Sequence, residues 1–272
     1  MRSLHKPYPV PPVEISYKIA RGYASIANIQ TRVVNTSTLN RNIFLTLALN
    51  RNKMKVKLVS YSKPTEIFEN EGIVDAQELI AYCARVSNPS NQMNTETSEK
   101  LIKYLINNAH WSPLEMVSAC LEIETTRDIA RQILRHRSFS FQEFSQRYAS
   151  PVEDLDFVIR EARMQDEKNR QNSLETDDSN LIGEWKNYQK NVINASKEAY
   201  EWAINNGIAK EQARSVLPEG NTVSRLYMNG TIRSWIHYIQ LRSGNGTQKE
   251  HSEIALACAE VINEIFPMGA EI

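Results

Sequence analysis

The side chains best suited to binding and catalysis are concentrated in residues 135–148, which read Arg-His-Arg-Ser-Phe-Ser-Phe-Gln-Glu-Phe-Ser-Gln-Arg-Tyr. Three arginines and one histidine alternate there with hydroxyl groups and four aromatic rings. A guanidinium group presents paired N–H donors that match the oxygens of a phosphate, and a serine adds another donor. The pattern predicts a site for a phosphorylated ligand that carries a ring. On composition alone, a solvated surface loop with a few aromatic anchors is the alternative.

Glu143 is the only acid in this stretch. A carboxylate beside a phosphate repels it unless the carboxylate faces a cation, a ribose hydroxyl or a backbone N–H group. We therefore expect Glu143 to orient its neighbours.

Two predicted elements lead into the stretch. The alternation of apolar and polar residues from Met116 to Glu124 predicts a strand with one polar face. Thr125 or Thr126 can then cap a helix over 128–135, on which Gln132 and Arg135 share a face. This helix would deliver both side chains to the start of the stretch.

A helix predicted over 231–242 carries a second set of polar side chains. Its core stripe is Ile232, Trp235, Ile236 and Ile239, and its polar stripe is Arg233, His237 and Gln240. Arg242 lies nine residues after Arg233, which is about half a turn around the helix at roughly 100° per residue. If both arginines bind ligands, we expect this helix to lie between subunits and to serve sites on either side.

The remaining pattern predicts a strand over 56–61 and helices over 75–83, 97–109, 185–204, 209–217 and 250–266, of which the last is interpreted as purely structural. Ser112, Pro113 and Glu115 have the spacing of a capping box at a helix start, and such an N-terminus also suits a phosphate. Residues 153–182 are highly charged, which predicts a surface excursion or a lid. Within it we predict a helix over 160–170 and a loop over 177–180. We assign no chemistry to this segment.

Charge and cysteine usage limit the class of protein. The chain has 272 residues with 32 basic and 32 acidic side chains, which argues against a general nucleic-acid or membrane-surface binder. No run approaches the roughly 20 apolar residues of a membrane helix. Cys83, Cys120 and Cys258 are widely spaced and predict reduced, packed thiols rather than a metal or redox site. We expect a cytoplasmic protein without a metal site.

Residues 1–53 form a basic extension, in which eight lysines and arginines face one acid, Glu14. This composition is that of an organellar transit peptide, so import into an organelle is one interpretation. A disordered tail, or a natural start at Met54 directly before the predicted first strand, is the other.

The spacing Arg-His-Arg, seven residues, Ser, one residue, Arg-Tyr resembles the signature of the flavin-dependent thymidylate synthases. So many fixed polar positions are far more specific than a lone glycine motif. From about Met54 onward the chain is identified as a member of that family. The resemblance implies an α/β (α+β) enzyme with a single catalytic domain over 54–272, whose central, mostly antiparallel sheet is flanked by helices. It also implies a homotetramer with active sites between subunits, in which FAD, dUMP, NADPH and methylenetetrahydrofolate combine to make dTMP.

The same resemblance implies roles for individual residues. FAD contacts fall on Ser112, Glu115, Arg135, His136, Arg137, Glu143, Thr231, Arg233 and His237. Contacts with dUMP fall on Gln132, Arg135, Glu143, Phe144, Ser145, Gln146, Arg147, Arg214 and Arg242. Arg242 is the catalytic residue, because a guanidinium can stabilise a uracil ionised at N3 without losing a proton itself. Arg214 lies in an Ala-Arg-x-x-Leu-Pro run shared with the family, although an ordinary helix-terminal cation is the alternative.

Two positions depart from the family pattern. Thr231 stands where an asparagine is expected, and Asn229 could substitute only through a two-residue insertion. Gly246 stands where the family often has histidine. Because of these departures, a second interpretation stays open, in which the chain is a member of the family that binds flavin and nucleotide but has lost activity.

The sequence contains no cysteine in a cationic, exposed setting that would favour a thiol nucleophile. The resemblance implies a methylation that needs none, because reduced flavin supplies the hydride. Ser145 is interpreted as a ligand of dUMP rather than a nucleophile. A module that binds RNA or a single strand on its aromatic rings is the rival class. Zero net charge and the lack of a second basic-aromatic patch weigh against it.

Overall fold

A computed structural model describes residues 55–267, so the basic extension over 1–53 and the alternative start at Met54 lie outside the described residues. The described residues contain β1 Lys55–Tyr61, β2 Ser118–Thr126, β3 Ser140–Glu143, β4 Arg163–Gln165, β5 Ser173–Glu175 and β6 Val223–Thr231. Four of these strands form one sheet in the order β1-β2-β6-β3, and every neighbouring pair is antiparallel. The predicted antiparallel sheet is therefore confirmed.

The helices are α1 Glu66–Asn70, α2 Ala76–Ala84, α3 Ser98–Asn107, α4 Arg127–Ile133, α5 Pro151–Asp154, α6 Ser179–Asn205, α7 Lys210–Ala213, α8 Ile232–Arg242 and α9 Lys249–Ile265. Short 3-10 turns cover Pro89–Asn91, Ser112–Glu115 and Arg214–Val216. Within residues 55–267, no helix is both long enough and apolar enough to cross a membrane.

The core lies between one face of the sheet and the helices α8 and α9. The alternation predicted for β2 is confirmed, since Ala119, Leu121 and Ile123 are buried while the residues between them are partly exposed. Trp235 of α8 is fully buried and donates a hydrogen bond from Nε1 to the Ala119 carbonyl at 3.0 Å. This bond fixes α8, with its polar residues, against the central strand of the sheet.

Helix α8 begins and ends as predicted. Thr231 is its N-cap, and its side-chain oxygen accepts from the Ser234 backbone N–H group at 3.3 Å. The long helix α6 ends at Asn205, and Gly207 follows with a φ of +78°, a backbone conformation that favours glycine. However, α6 begins before the predicted Trp185. Asp178 caps it by accepting from the N–H groups of Asn180 and Leu181. The loop predicted over 177–180 is therefore confirmed at 177 and 178 and wrong at 179 and 180, which are helical.

The charged excursion is not helical over 160–170, and that prediction is wrong. Strands β4 and β5 form an antiparallel hairpin instead. Asp166 holds the turn, because its carboxylate accepts from the backbone N–H groups of Lys168 and Asn169 and from the Asn172 amide. A short acid that bonds nearby backbone donors favours a turn over a helix.

The predicted capping box is also wrong. Residues Ser112–Glu115 form a 3-10 turn in which the Ser112 hydroxyl caps no N–H group. Glu115 pairs instead with Arg233 of α8. A distant cation has replaced the local backbone donor as its partner.

Candidate active site

The stretch over 135–148 joins the last turn of α4 to the sheet edge. Helix α4 ends at Ile133, two residues earlier than predicted, and the His136 N–H group closes the turn by donating to the Ile133 carbonyl at 3.0 Å. Strand β3 then pairs with β6, with Ser140 opposite Asn229 and Glu143 opposite Leu226. Four of the fourteen residues in the stretch are therefore fixed in the sheet.

Phe139 anchors this stretch against the core. Its ring meets Trp235 edge to face with centroids 4.9 Å apart, a favourable arrangement of two aromatic rings. A Cβ atom on Gly230 would lie 2.6 Å from Phe139 Cε1, so only glycine leaves room for the ring there. The close approach of β6 and Phe139 places the neighbouring Arg137 and Ser138 beside the first turn of α8, where Ser234 donates to the Ser138 carbonyl at 3.2 Å.

His136 and Arg242 meet although they are far apart in sequence. Arg242 donates from Nε to His136 Nε2 at 2.9 Å, so the accepting nitrogen carries no proton. Burial, followed by the charges of Arg242 and Arg135, lowers the pKa of His136 to about 4. At neutral pH a neutral imidazole therefore supports a charged guanidinium group.

The guanidinium groups here differ in whether a carboxylate neutralises them. Arg135 and Arg137 are exposed, and between residues 55 and 267 neither forms an ion pair. Arg242 has only His136 as a side-chain partner in that range. Uncompensated guanidinium groups gathered on one surface favour an anion such as a phosphate.

Glu143 is turned toward cations, as predicted. Its carboxylate accepts from the Ser224 hydroxyl at 2.8 Å and lies 3.6 Å from an Arg127 nitrogen and 3.7 Å from an Arg131 nitrogen. The side chain of Glu143 is 17% exposed. At this position Glu143 can orient α4 against β3. Its role as a direct contact of FAD or dUMP stays a prediction.

A second group lies at the start of α8. Arg233 pairs with Glu115, and the rings of Trp111 and His237 meet edge to face at 4.5 Å. Burial, followed by the charge of Arg233, lowers the pKa of His237. Ser112 is exposed beside them in the 3-10 turn. The structure thus brings the predicted flavin residues Glu115 and Arg233 into contact.

A third group lies where the stretch ends. Arg147 pairs with Glu211 at 3.3 Å, and Arg214 donates to the Glu211 backbone carbonyl at 3.3 Å. The Ser145 hydroxyl accepts from the Arg147 N–H group at 3.4 Å. Arg147 and Arg214 therefore both contact Glu211 of α7, and Ser145 contacts Arg147.

Two further predicted dUMP residues lie beside this third group. Phe144 is half-buried, and its backbone N–H group donates to the Arg225 carbonyl at 2.8 Å. Gln146 is buried, and its Nε2 has no partner among the described residues. An unpaired buried donor is costly unless a ligand or water meets it.

The Arg233 pair and the Arg242 pair are not in direct contact. Arg233 contacts Glu115, Arg242 contacts His136, and no hydrogen bond or ion pair within residues 55–267 joins these two pairs. The half-turn separation predicted for the two arginines is confirmed.

The two departures from the family pattern have local structural reasons. The Thr231 hydroxyl is engaged with Ser234 as the helix cap, accepting from its N–H group and donating to its hydroxyl. Gly246 has a φ of +91°, which a histidine would adopt only under strain.

The interpretation of α9 as purely structural stays a prediction, but the start of this helix contacts Gln132. His251 is fully buried and its Nδ1 lies 3.2 Å from Gln132 Oε1, while its ring lies 6.3 Å from that of His136. Burial, followed by the charges of Arg242 and His136, lowers the pKa of His251 to about 3. Polar residues at the start of an otherwise apolar helix were the signal in the sequence that could have identified this contact.

The thiol groups are poorly suited to nucleophilic attack. Burial raises the pKa of Cys83, Cys120 and Cys258, so each thiolate is disfavoured at neutral pH. Between residues 55 and 267, no group of His, Cys, Asp or Glu side chains is placed to hold a metal ion.

Comparison with known proteins places these features in context. The model of the family described as "Thymidylate synthase complementing protein" matches residues 71–268. A protein of Paramecium bursaria Chlorella virus 1 named probable flavin-dependent thymidylate synthase is 51% identical over 218 residues, covering 80% of this chain and 98% of its own. The flavin-dependent thymidylate synthase of Synechocystis sp. is 51% identical over 217 residues, again covering 80% of this chain and 98% of its own.

Solved structures agree with the sequence comparison. A UMP/dUMP methylase from Streptomyces cacaoi bound with 5-Br dUMP superposes with a TM-score of 0.67 at 25% identity, covering 81% of this chain and 94% of that one. The likeness extends over nearly the whole length of these proteins.

Proposed function

Since this chain belongs to the flavin-dependent thymidylate synthases, we propose that the stretch over 135–148 and helix α8 bind FAD and dUMP for the methylation of dUMP to dTMP. The observation that carries this assignment is the set of guanidinium groups on Arg135, Arg137 and Arg242, which have no carboxylate partner among the described residues. Both ligands are phosphorylated and both carry a ring. A cationic, aromatic-lined surface suits that combination.

The residues present fit a flavin dinucleotide. Its diphosphate is an anion for which Arg135 and Arg137 offer uncompensated donors. Arg233 and His237 add donors beside the Trp111 ring at the start of α8. We assign Ser112, Glu115, His136, Glu143 and Thr231 to the same cofactor, with Glu115 acting through Arg233 and Thr231 through the cap that fixes the first turn of α8. When bound, the flavin supplies the hydride that reduces the transferred carbon to a methyl group.

Arg242 is the catalytic residue in this proposal. His136 holds its Nε, which leaves the terminal nitrogens of the guanidinium group free to donate to the uracil ring. A fixed positive charge there favours uracil ionised at N3, and such a ring is more electron-rich at C5. Because the thiols all have raised pKa values, C5 is activated without a covalent bond to cysteine.

The phosphate and sugar of dUMP are assigned to the third group, with Gln132 at the other end of the nucleotide. Ser145 and Arg147 offer neighbouring donors, and Arg214 is held close by through Glu211. Phe144 and Gln146 complete this set, because Gln146 has a buried Nε2 with an unused donor. We assign Arg135 to both ligands.

NADPH as reductant and methylenetetrahydrofolate as carbon donor belong to the same proposal, without assigned residues. We further propose a homotetramer with sites between subunits. Its support is the arrangement around α8, where Arg233 and Arg242 serve separate groups on different sides of one helix.

The experiment is a visible absorption spectrum of the purified protein under anaerobic conditions. A flavin spectrum is expected that bleaches on addition of NADPH, at a rate that changes with dUMP. Addition of methylenetetrahydrofolate should then yield dTMP, detected by chromatography. A protein that takes up no FAD, or that bleaches but makes no dTMP, would contradict the proposal.

A further inference from the structure

A continuous chain of hydrogen bonds runs from the start of α9 to the end of α4. Gln248 donates from Nε2 to Glu250 Oε2 at 3.0 Å. Gln132 donates from Nε2 to Gln248 Oε1 at 2.9 Å. Gln132 Oε1 in turn lies 3.2 Å from His251 Nδ1. We call these four residues the α9 relay.

The carboxylate at one end sets the direction of every bond in the α9 relay. An ionised Glu250 can only accept, so Gln248 must present its amide N–H group to it and its carbonyl to Gln132. Gln132 must then donate to Gln248 and turn its own carbonyl toward His251. His251 must carry its proton on Nδ1 to donate to that carbonyl. Flipping either amide would place a carbonyl oxygen against a carboxylate or leave a donor facing a donor.

Two arginines keep Glu250 ionised and in place. Glu250 Oε1 lies 3.1 Å from an Arg160 nitrogen and is also bonded to Arg163 of β4. Burial opposes ionisation of Glu250, but the bond to Arg163 and the charge of Arg160 outweigh it and lower its pKa to about 2. The α9 relay is thus anchored on the base of the hairpin formed by β4 and β5.

Arg160 ties the same frame to the first turn of α4. It donates to both carboxylate oxygens of Asp128, at 2.8 and 3.0 Å. Asp128 and Gln132 are four residues apart and therefore lie on one face of α4. Glu250 consequently holds both ends of this short helix, one end through Arg160 and the other through Gln248.

We infer that Gln248 and Glu250 are positioning residues for the nucleotide site, which hold the Gln132 amide in one orientation toward dUMP. This inference rests on the proposed function, in which Gln132 contacts dUMP. In that orientation Gln132 retains one N–H group and one carbonyl lone pair for the ligand, because the α9 relay uses the others. A freely rotating amide would have to be ordered each time dUMP binds, which weakens binding.

A purely structural function does not explain why the α9 relay ends at a ring nitrogen of His251 that has no partner among the described residues. His251 is fully buried and its Nε2 has no partner among the described residues. With the proton on Nδ1, Nε2 is an acceptor near His136 and near the charge of Arg242. Buried polar groups are costly when unsatisfied. An apolar side chain would stabilise a purely structural α9 better.

The test is a double-mutant cycle read by dUMP binding, measured by calorimetry on the flavin-loaded protein. Gln248→Ala is expected to raise the Kd for dUMP about three- to tenfold, as for the loss of one hydrogen bond. In a Gln132→Ala background the same substitution should change the Kd by less than about twofold, because the amide that it positions is gone. Gln248→Leu keeps the volume without a donor or acceptor and should reproduce the alanine result.

Gln165→Ala is the matched control, since this exposed glutamine of β4 bonds only to the backbone of its own hairpin. It should leave the Kd unchanged. If Gln248→Ala acts equally in both backgrounds, or has no effect in either, the positioning role is wrong while the proposed function stands. If the unmodified protein binds no dUMP, the proposed function is wrong and the positioning role with it.

Discussion

Arg242 at the end of α8 donates from Nε to His136 Nε2 at 2.9 Å, which joins the end of one helix to the turn that follows another. The imidazole is neutral and accepts, while the guanidinium keeps its charge and its outer donors. The cation that we propose to be catalytic is thereby oriented without being neutralised. This pairing leads to the first prediction.

Arg242→Ala should reduce dTMP formation at least about 100-fold, because it removes the charge that stabilises the ionised uracil. The fold should be retained, since no carboxylate within residues 55–267 loses a partner. Initial rates under saturating substrates and a thermal melt measure both effects. Arg170→Ala, at an exposed arginine of the β4–β5 loop, is the control and should keep normal rates. Normal turnover by the Arg242 variant would remove Arg242 from the chemistry.

Arg135→Ala should weaken retention of FAD by about tenfold, as expected when a charged hydrogen-bond donor to phosphate is lost. Flavin absorbance after gel filtration, followed by titration with added FAD, measures the loss. Because Arg135 is exposed, its replacement should leave the fold intact. Full retention of flavin would reassign this arginine to dUMP alone.

Stability should fall on mild acidification because two imidazoles, the half-buried His136 and the buried His251, resist protonation. In the folded protein the pKa is about 4 for His136 and about 3 for His251, both below the ordinary value of 6.5. The unfolded chain therefore binds more protons below about pH 6.5, and the free energy of unfolding decreases as the pH falls from there toward 4. Urea denaturation at pH 7.5 and 5 measures this decrease.

The variant His251→Gln should show a smaller decrease over the same pH range, because one of the two groups no longer titrates. His110→Gln, at an exposed histidine of the turn before Trp111, is the control and should behave as the unmodified protein. An equal pH dependence in all three proteins would show that His251 is not a source of the effect.

Gly230→Ala should destabilise the fold by about 1–3 kcal/mol, because the new methyl group would overlap the Phe139 ring. Gly183→Ala is the matched control. It lies in α6 with no atom within 4 Å of the added methyl group, and should stabilise by about 0.5–1 kcal/mol through helix propensity. Urea denaturation compares the two. Equal stability of both variants would mean that Phe139 moves aside without cost.

Removing the thiols should not stop the reaction. A protein with Cys83→Ser, Cys120→Ser and Cys258→Ala should form dTMP within about threefold of the original rate, since no thiol acts as nucleophile. A melt checks that replacing the buried Cys258 leaves the fold intact. Loss of dTMP formation in a folded Cys120→Ser protein would contradict the mechanism.

Much of the fold follows from local pattern. The alternation in β2 predicted which residues face the core, because a strand turns successive side chains to opposite faces. The stripes of α8 placed Arg233 and Arg242 on different sides for a similar geometric reason. The fixed spacing of Arg135, His136, Arg137, Ser145 and Arg147 was enough to identify the family.

Long-range contacts decided the rest. Strand β6 and the short β3 were not predicted, because their pairing depends on residues about 90 positions apart, such as Ser140 and Asn229. Glu115 has the spacing of a cap, yet Arg233 is its partner across 118 positions. A local pattern cannot rank a nearby backbone donor against a distant cation.

The sequence by itself determined the chemical inventory, namely closely spaced arginines among aromatic rings and no cysteine in a cationic, exposed setting. Only the tertiary structure decided which of these groups act together. It placed Arg242 on His136, and it brought Gln248 and His251, at the start of α9, into contact with Gln132. Hydrogen bonds form between groups brought close by packing, and closeness across more than a hundred residues is a property of the folded chain.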